Sequence, residues 1–184
     1  MVLTKTPICN FGEKAIDFNL KGIDDKLYKL ENCVGKNGTI IMFICNHCPY
    51  VKAIIKDLVK DINVLKQFGI NAVAIMSNDT KNYPEDSFEK MINFSKSNNF
   101  IFPYLIDESQ EVAKKFNAVC TPDFFGYNRN LELQYRGRFR ELKDLKPVLE
   151  GKSDLVAAMK LIAATQNGPI TQIPSMGCNI KWIK

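Results

Sequence analysis

Two of the six cysteines stand two residues apart, in the run Cys45-Asn46-His47-Cys48-Pro49. A thiol attacks as the thiolate, and a second thiol within reach can resolve the resulting mixed disulfide. The spacing closes a small ring that opens and closes with little backbone movement. If a strand ends and a helix begins at Cys45, the unpaired amides of the first turn and the helix dipole favour its anion. Cys45 would then attack and Cys48 resolve. His47, the single histidine of the chain, lies between them. A protonated or hydrogen-bonding imidazole there would favour a thiolate further, whereas a ring pointing into solvent would not. Pro49 falls within the first helical turn, where a missing N–H costs little. The pair alone leaves zinc binding and a purely structural role open. Structural zinc usually takes two pairs of ligands, and the sequence has no second CxxC.

The elements around the pair fit that chemistry. Thr39 to Ile44 is an apolar, β-branched run bounded by Gly38, which predicts a strand buried on both faces. Val51, Ile54, Ile55, Leu58, Val59, Ile62 and Leu65 recur at helical spacing, and Gly69 ends the helix. Before them, Ala15–Leu20 and Lys26–Leu30 read as a hairpin around Gly22-Ile23-Asp24-Asp25. After them come a strand at Ala72–Met76, a helix from Ser87, a strand at Tyr104–Ile106 and a helix over Ser109–Phe116. Strands at Phe124–Tyr127 and Leu133–Gly137 follow, paired antiparallel, and then a helix capped by Ser153. This alternation predicts an α/β fold, a central mixed sheet flanked by helices. One domain is expected over residues 1–184, with an N-terminal extension over 1–35 and an irregular tail over 167–184 that docks through Cys178, Ile180 and Trp182.

The bulk properties narrow the function classes. The 184 residues are 46% hydrophobic and 24% charged, ordinary for a globular protein with an adequate core. The net charge of +5 is spread among interspersed acids and bases, without the basic block of a nucleic-acid tail. The N-terminus lacks the apolar stretch of a signal peptide and no run is long enough to span a membrane. These observations lead to the expectation of a cytoplasmic protein in which most thiols stay reduced. No nucleic-acid or membrane partner, cofactor or metal is expected.

Cys120-Thr121-Pro122, just before Phe124-Phe125-Gly126-Tyr127, resembles the proline loop of the thioredoxin superfamily. That resemblance implies a thioredoxin-like fold in which Pro122 is cis and lies beside Cys45. Ala15-Ile16-Asp17-Phe18-Asn19-Leu20 and Phe43-Ile44-Cys45-Asn46-His47-Cys48-Pro49-Tyr50-Val51 resemble the alkyl hydroperoxide reductase/thiol-specific antioxidant branch. Ser77-Asn78-Asp79, Tyr135-Arg136-Gly137-Arg138 and Gly177-Cys178-Asn179-Ile180-Lys181-Trp182 are similar to its peroxiredoxin-like subgroup. The resemblance implies an antioxidant-type thiol oxidoreductase. Peroxiredoxins carry a threonine three residues before the peroxidatic cysteine; here that position holds Cys45 or Met42, according to which cysteine is aligned. Arg136 or Arg138 would have to supply the guanidinium of such a site. Disulfide exchange keeps all its parts, with peroxide reduction and a non-enzymatic redox-sensing module as alternatives.

The remaining candidates are peripheral. The resemblance puts Cys120 near the pair, where it would join exchange, help hold a metal or remain a buried thiol. Cys178 would be a peripheral redox partner or pack beside Trp182; Cys9 and Cys33 have no motif around them. Asn78 and Asp79 follow a strand at the rim where open α/β sheets bind ligands, or form a plain turn. Arg136, Arg138 and Arg140 alternate and would share one face, either solvated or receptive to an anion. A protein or small-molecule disulfide is the expected substrate, and a thioredoxin-type system the expected reductant.

Overall fold

The computed structural model describes residues 3–184. In chain order the strands and helices are β1 (Leu3–Lys5), β2 (Asn19–Gly22), β3 (Leu27–Lys29), β4 (Gly38–Phe43), α1 (Pro49–Lys66), β5 (Ile70–Met76), α2 (Phe88–Ser97), β6 (Tyr104–Ile106), α3 (Glu111–Lys115), β7 (Cys120–Thr121), β8 (Asp123–Asn128), β9 (Leu133–Arg136), β10 (Leu142–Lys143), β11 (Lys146–Pro147), α4 (Asp154–Thr165) and β12 (Met176–Asn179). Seven strands form the main sheet in the order β3-β2-β6-β5-β4-β8-β9. β4 pairs parallel with β5 and antiparallel with β8, so the sheet is mixed. This is a thioredoxin-like α/β fold.

β4 is central because every one of its residues is buried. Its side chains alternate between two apolar layers, as the two-residue period of a strand requires. Ile40 and Met42 join α1 and α4 on one face; Ile41 and Phe43 meet Phe116 and Phe125 on the other. The apolar stripe of α1, from Val51 to Leu65, is buried throughout. Each such Leu, Ile or Val is worth roughly 1.5–3 kcal/mol against leaving it exposed. Gly69, at φ +72°, takes the left-handed conformation that ends the helix region. Ser87 and Ser153 cap α2 and α4 by accepting from the amides of Lys90 and Val156.

Three expectations shift. The N-terminal hairpin forms, but its first strand runs over Asn19–Gly22, not Ala15–Leu20, and pairs with β6 as well as β3. The tail is not wholly irregular: β12 is the middle strand of a second sheet, ordered β1-β12-β7. Arg136, Arg138 and Arg140 do not share a solvated face, because β9 ends at Arg136 and the alternation stops there. Arg136 is buried against Asp123 at 3.0 Å. Arg140 turns to α1 and meets Asp57 and Asp61 at 2.8 and 3.2 Å. Among the described residues, no helix is long and apolar enough to cross a membrane.

Candidate active site

The register of three strands assembles the site. Phe43 of β4 lies opposite Asp123 of β8, so the residues just before Asp123 arrive beside those just after Phe43. Thr121 and Pro122 thereby meet Cys45 and Cys48. The Thr121–Pro122 peptide bond is cis. The Thr121 hydroxyl is 3.3 Å from the Cys45 sulfur, and its carbonyl is 3.1 Å from the Cys48 sulfur. β12 pairs with β7 so that Cys178 stands opposite Thr121. This brings the Cys178 sulfur within 3.0 Å of the Cys48 sulfur. All three cysteines are buried and reduced.

The helix starts at Pro49, so Cys48, not Cys45, is its N-cap. The expectation that the helix begins at Cys45 is therefore corrected: it begins beside Cys48, whose thiol is lowered in part by the Val51 amide. A Pro at the first helical position fixes the start there, one turn later than a start at Cys45 would be. The Cys48 thiol is pulled well below the ordinary thiol range by hydrogen bonding from Cys45, offset in part by burial and helped by the Cys178 thiol and the Val51 and Cys178 amides. When protonated, Cys48 donates to the Thr121 carbonyl. Cys45 moves the opposite way, held protonated by the bond it donates to Cys48, by burial and by the charge of Asp86, against a lowering contribution from Thr121. Cys178 is also raised, by burial first and then by its bond to Cys48. Of the three thiols, Cys48 is thus shifted toward the thiolate and Cys45 and Cys178 toward the protonated form.

His47 does not point freely into solvent. Its Nδ1 lies 2.7 Å from Oδ2 of Asp86, and its ring stacks on Tyr83 at 5.8 Å. The Asp86 bond raises the imidazole pKa, against desolvation. Asp86 is fully buried and also accepts from the Asn46 amide at 2.8 Å and from Asn78 Nδ2 at 2.7 Å. Asn78 in turn accepts from the Lys181 amide at 2.9 Å, which ties the tail to this loop. Asp86 is the residue that sequence reasoning missed. The Pro84 loop that carries it offered no motif, only an acid preceding the Ser87 cap.

Other expected residues fall further out. The Cys120 thiol packs back on its own loop, 3.6 Å from the Pro122 carbonyl, and burial drives its pKa far up. Arg138 is paired with Asp154 at 2.5 Å. With Lys5, Tyr50, Ile54, Pro122, Phe139 and Met176 it lines a largely apolar groove of about 280 Å³ beside the cis proline. With Arg136 held by Asp123 and Arg138 by Asp154, both guanidinium groups proposed for a peroxide site already carry carboxylate partners. Cys45, His47 and Asp86 offer ligand atoms within 4.8 Å of one another. A metal there would have to replace the His47–Asp86 hydrogen bond and compete with the two donors on the carboxylate.

The AhpC/TSA family model matches residues 11–139. Among solved structures, an uncharacterized conserved protein of Geobacillus kaustophilus is 39% identical with a TM-score of 0.90, over 100% of this chain and 97% of its own. A hypothetical protein of Sinorhizobium meliloti is 37% identical with a TM-score of 0.90, covering 98% of each chain. A thiol:disulfide interchange protein of Chlorobium tepidum shares the fold at 17% identity and a TM-score of 0.63, over 87% of this chain and 99% of its own. No curated protein matches the chain.

Proposed function

Because the chain belongs to the AhpC/TSA family and its chemistry is thiol redox, we propose that it is a thiol–disulfide oxidoreductase acting through Cys45 and Cys48. The observation that carries this reading is the cluster at the start of α1: the Cys45 and Cys48 sulfurs lie 3.3 and 3.1 Å from the Thr121 hydroxyl and carbonyl, with Cys48 the more acidic thiol. Cys48 attacks one sulfur of a substrate disulfide, forming a mixed disulfide and releasing the other half as a thiolate. The Cys45 thiol, poised beside it, loses its proton to that leaving thiolate and attacks the Cys48 sulfur. The second half of the substrate departs, and a Cys45–Cys48 disulfide remains. A thioredoxin-type dithiol would return it to the reduced state. The order of attack is thus the reverse of that expected from a helix starting at Cys45.

In this reading the substrate would bind in the groove beside Pro122, because its apolar lining of Tyr50, Ile54, Phe139 and Met176 suits an extended peptide around a disulfide. His47, held by Asp86, and Asn78, which holds Asp86 in turn, position the loop over the dithiol. The test is reduction of insulin by the protein with a dithiol as electron source. Turnover should be lost in Cys48→Ser and in Cys45→Ser. Unchanged turnover in Cys48→Ser would overturn the assignment. Rapid consumption of hydrogen peroxide without insulin turnover would favour peroxide reduction instead.

A further inference from the structure

Cys48 has a thiol neighbour on each side. The Cys178 sulfur, 3.0 Å away, must close by about 1 Å to reach the roughly 2.05 Å of a disulfide bond. That proximity is built in by the backbone. β12 pairs with β7 on one side and β1 on the other, with Cys178 opposite Thr121 and Leu3. Gly177 allows this approach: a Cβ at that position would lie 2.1 Å from the Thr121 carbonyl oxygen. A strand with any larger residue there would stand off the cis-proline segment and carry Cys178 away from Cys48. Cys120, by contrast, is close in sequence to the proline but bonds to the Pro122 carbonyl.

We propose that Cys178 is a third redox cysteine, which competes with Cys45 for the bond to Cys48. This rests on the reading of Cys48 as the attacking thiol. In the first step, a Cys178 thiolate attacks the Cys48 sulfur of a Cys45–Cys48 disulfide. The Cys48–Cys178 bond forms and the Cys45–Cys48 bond breaks. Cys45 leaves as a thiolate and takes up the proton that Cys178 gave to its surroundings. The electron count of the three sulfurs is unchanged, so no outside oxidant enters. The same attack on a mixed disulfide between Cys48 and a substrate releases the substrate as a thiolate without Cys45. The oxidised protein is therefore an equilibrium of two disulfides, one within the CxxC and one that staples the C-terminal strand to the start of α1.

Oxidised glutathione is the probe. Cys45→Ser and the double variant Cys45→Ser, Cys178→Ser are treated with it, quenched in acid and mapped by mass spectrometry without reduction. In Cys45→Ser, Cys178 should resolve the adduct, giving a Cys48–Cys178 peptide and at least tenfold less retained glutathione than in the double variant. The double variant should hold one glutathione on Cys48. Equal retention in both overturns the proposal. If the double variant does not fold, mapping of oxidised wild type decides: a Cys48–Cys178 peptide supports the third thiol, and Cys178 found wholly free overturns it. The two readings fail separately. Normal insulin turnover by wild type with equal retention removes Cys178 alone, whereas a Cys48–Cys178 bond in a protein without turnover keeps the third thiol and removes the oxidoreductase.

Discussion

The Nδ1 of His47 lies 2.7 Å from Oδ2 of Asp86, a carboxylate with no solvent exposure. The pair holds the imidazole near Cys45, the ligand atoms of Cys45, His47 and Asp86 lying within 4.8 Å of one another, and raises the histidine pKa.

Replacing that carboxylate should be visible at the histidine. In Asp86→Asn the His47 pKa should fall, since the bond to Asp86 is the largest cause of its rise. A raised histidine pKa contributes stability that is complete below the unfolded value and lost as pH climbs through the folded value. The variant should lose that dependence. It should also be less stable by roughly 1–3 kcal/mol, since an amide group would face the donors of Asn46 and Asn78. With a single histidine in the chain, one proton NMR titration reads the shift directly.

The thiolate absorbance of the reduced protein should show one group ionising well below the ordinary thiol range, absent in Cys48→Ala. In Cys45→Ala that transition should move up in pH, because Cys48 loses its strongest hydrogen-bond donor. A transition that persists in Cys48→Ala would mean that another cysteine carries the charge.

Stability should decline above about pH 9. Burial pushes Cys33 and Cys9 up to about 11, and Cys120 and Cys178 are also raised. A raised thiol pKa means the folded chain keeps protons that the unfolded chain releases, so unfolding gains as pH rises between the two values. Denaturant midpoints at increasing pH from 8 upward, in the presence of a reductant, should fall steadily. Cys33→Ala should reduce the slope.

Gly177→Ala should cost roughly 1–3 kcal/mol, measured by thermal unfolding, because the new methyl meets backbone and cannot be relieved by a side-chain rotation. The same change at Gly151 adds a Cβ with nothing within 4 Å. Its effect, from a positive φ alone, should be smaller.

Much of this site is legible from local pattern. The apolar run of β4 and the periodic face of α1 are short-range signals, and both elements form. The start of α1 is legible too: Pro49 at the first helical position marks Cys48 as the cap, whereas the cysteine spacing alone does not distinguish Cys48 from Cys45. What stayed hidden is long-range pairing. Met176-Gly177-Cys178-Asn179 has no alternation and a glycine in its middle, so nothing local says strand; it becomes one because β1 and β7 offer edges on both sides. Asp86 is similar, an acid in a polar loop whose burial depends on residues 40 positions away. The arginines misled for the opposite reason, since their alternation outlasts the strand that would have given it meaning.

The second sheet has a consequence for how the protein comes into being. On a ribosome, β4 and α1 emerge long before β12, so the young chain carries the CxxC without the Cys178 thiol and amide that help hold the Cys48 charge. Of the groups that lower the Cys48 thiol, Cys45 is then already present, while the contribution of Cys178 arrives only with β12. The surroundings of the Cys48 thiol are therefore completed by the last strand in chain order, when β12 pairs with β7 and brings Cys178 to it.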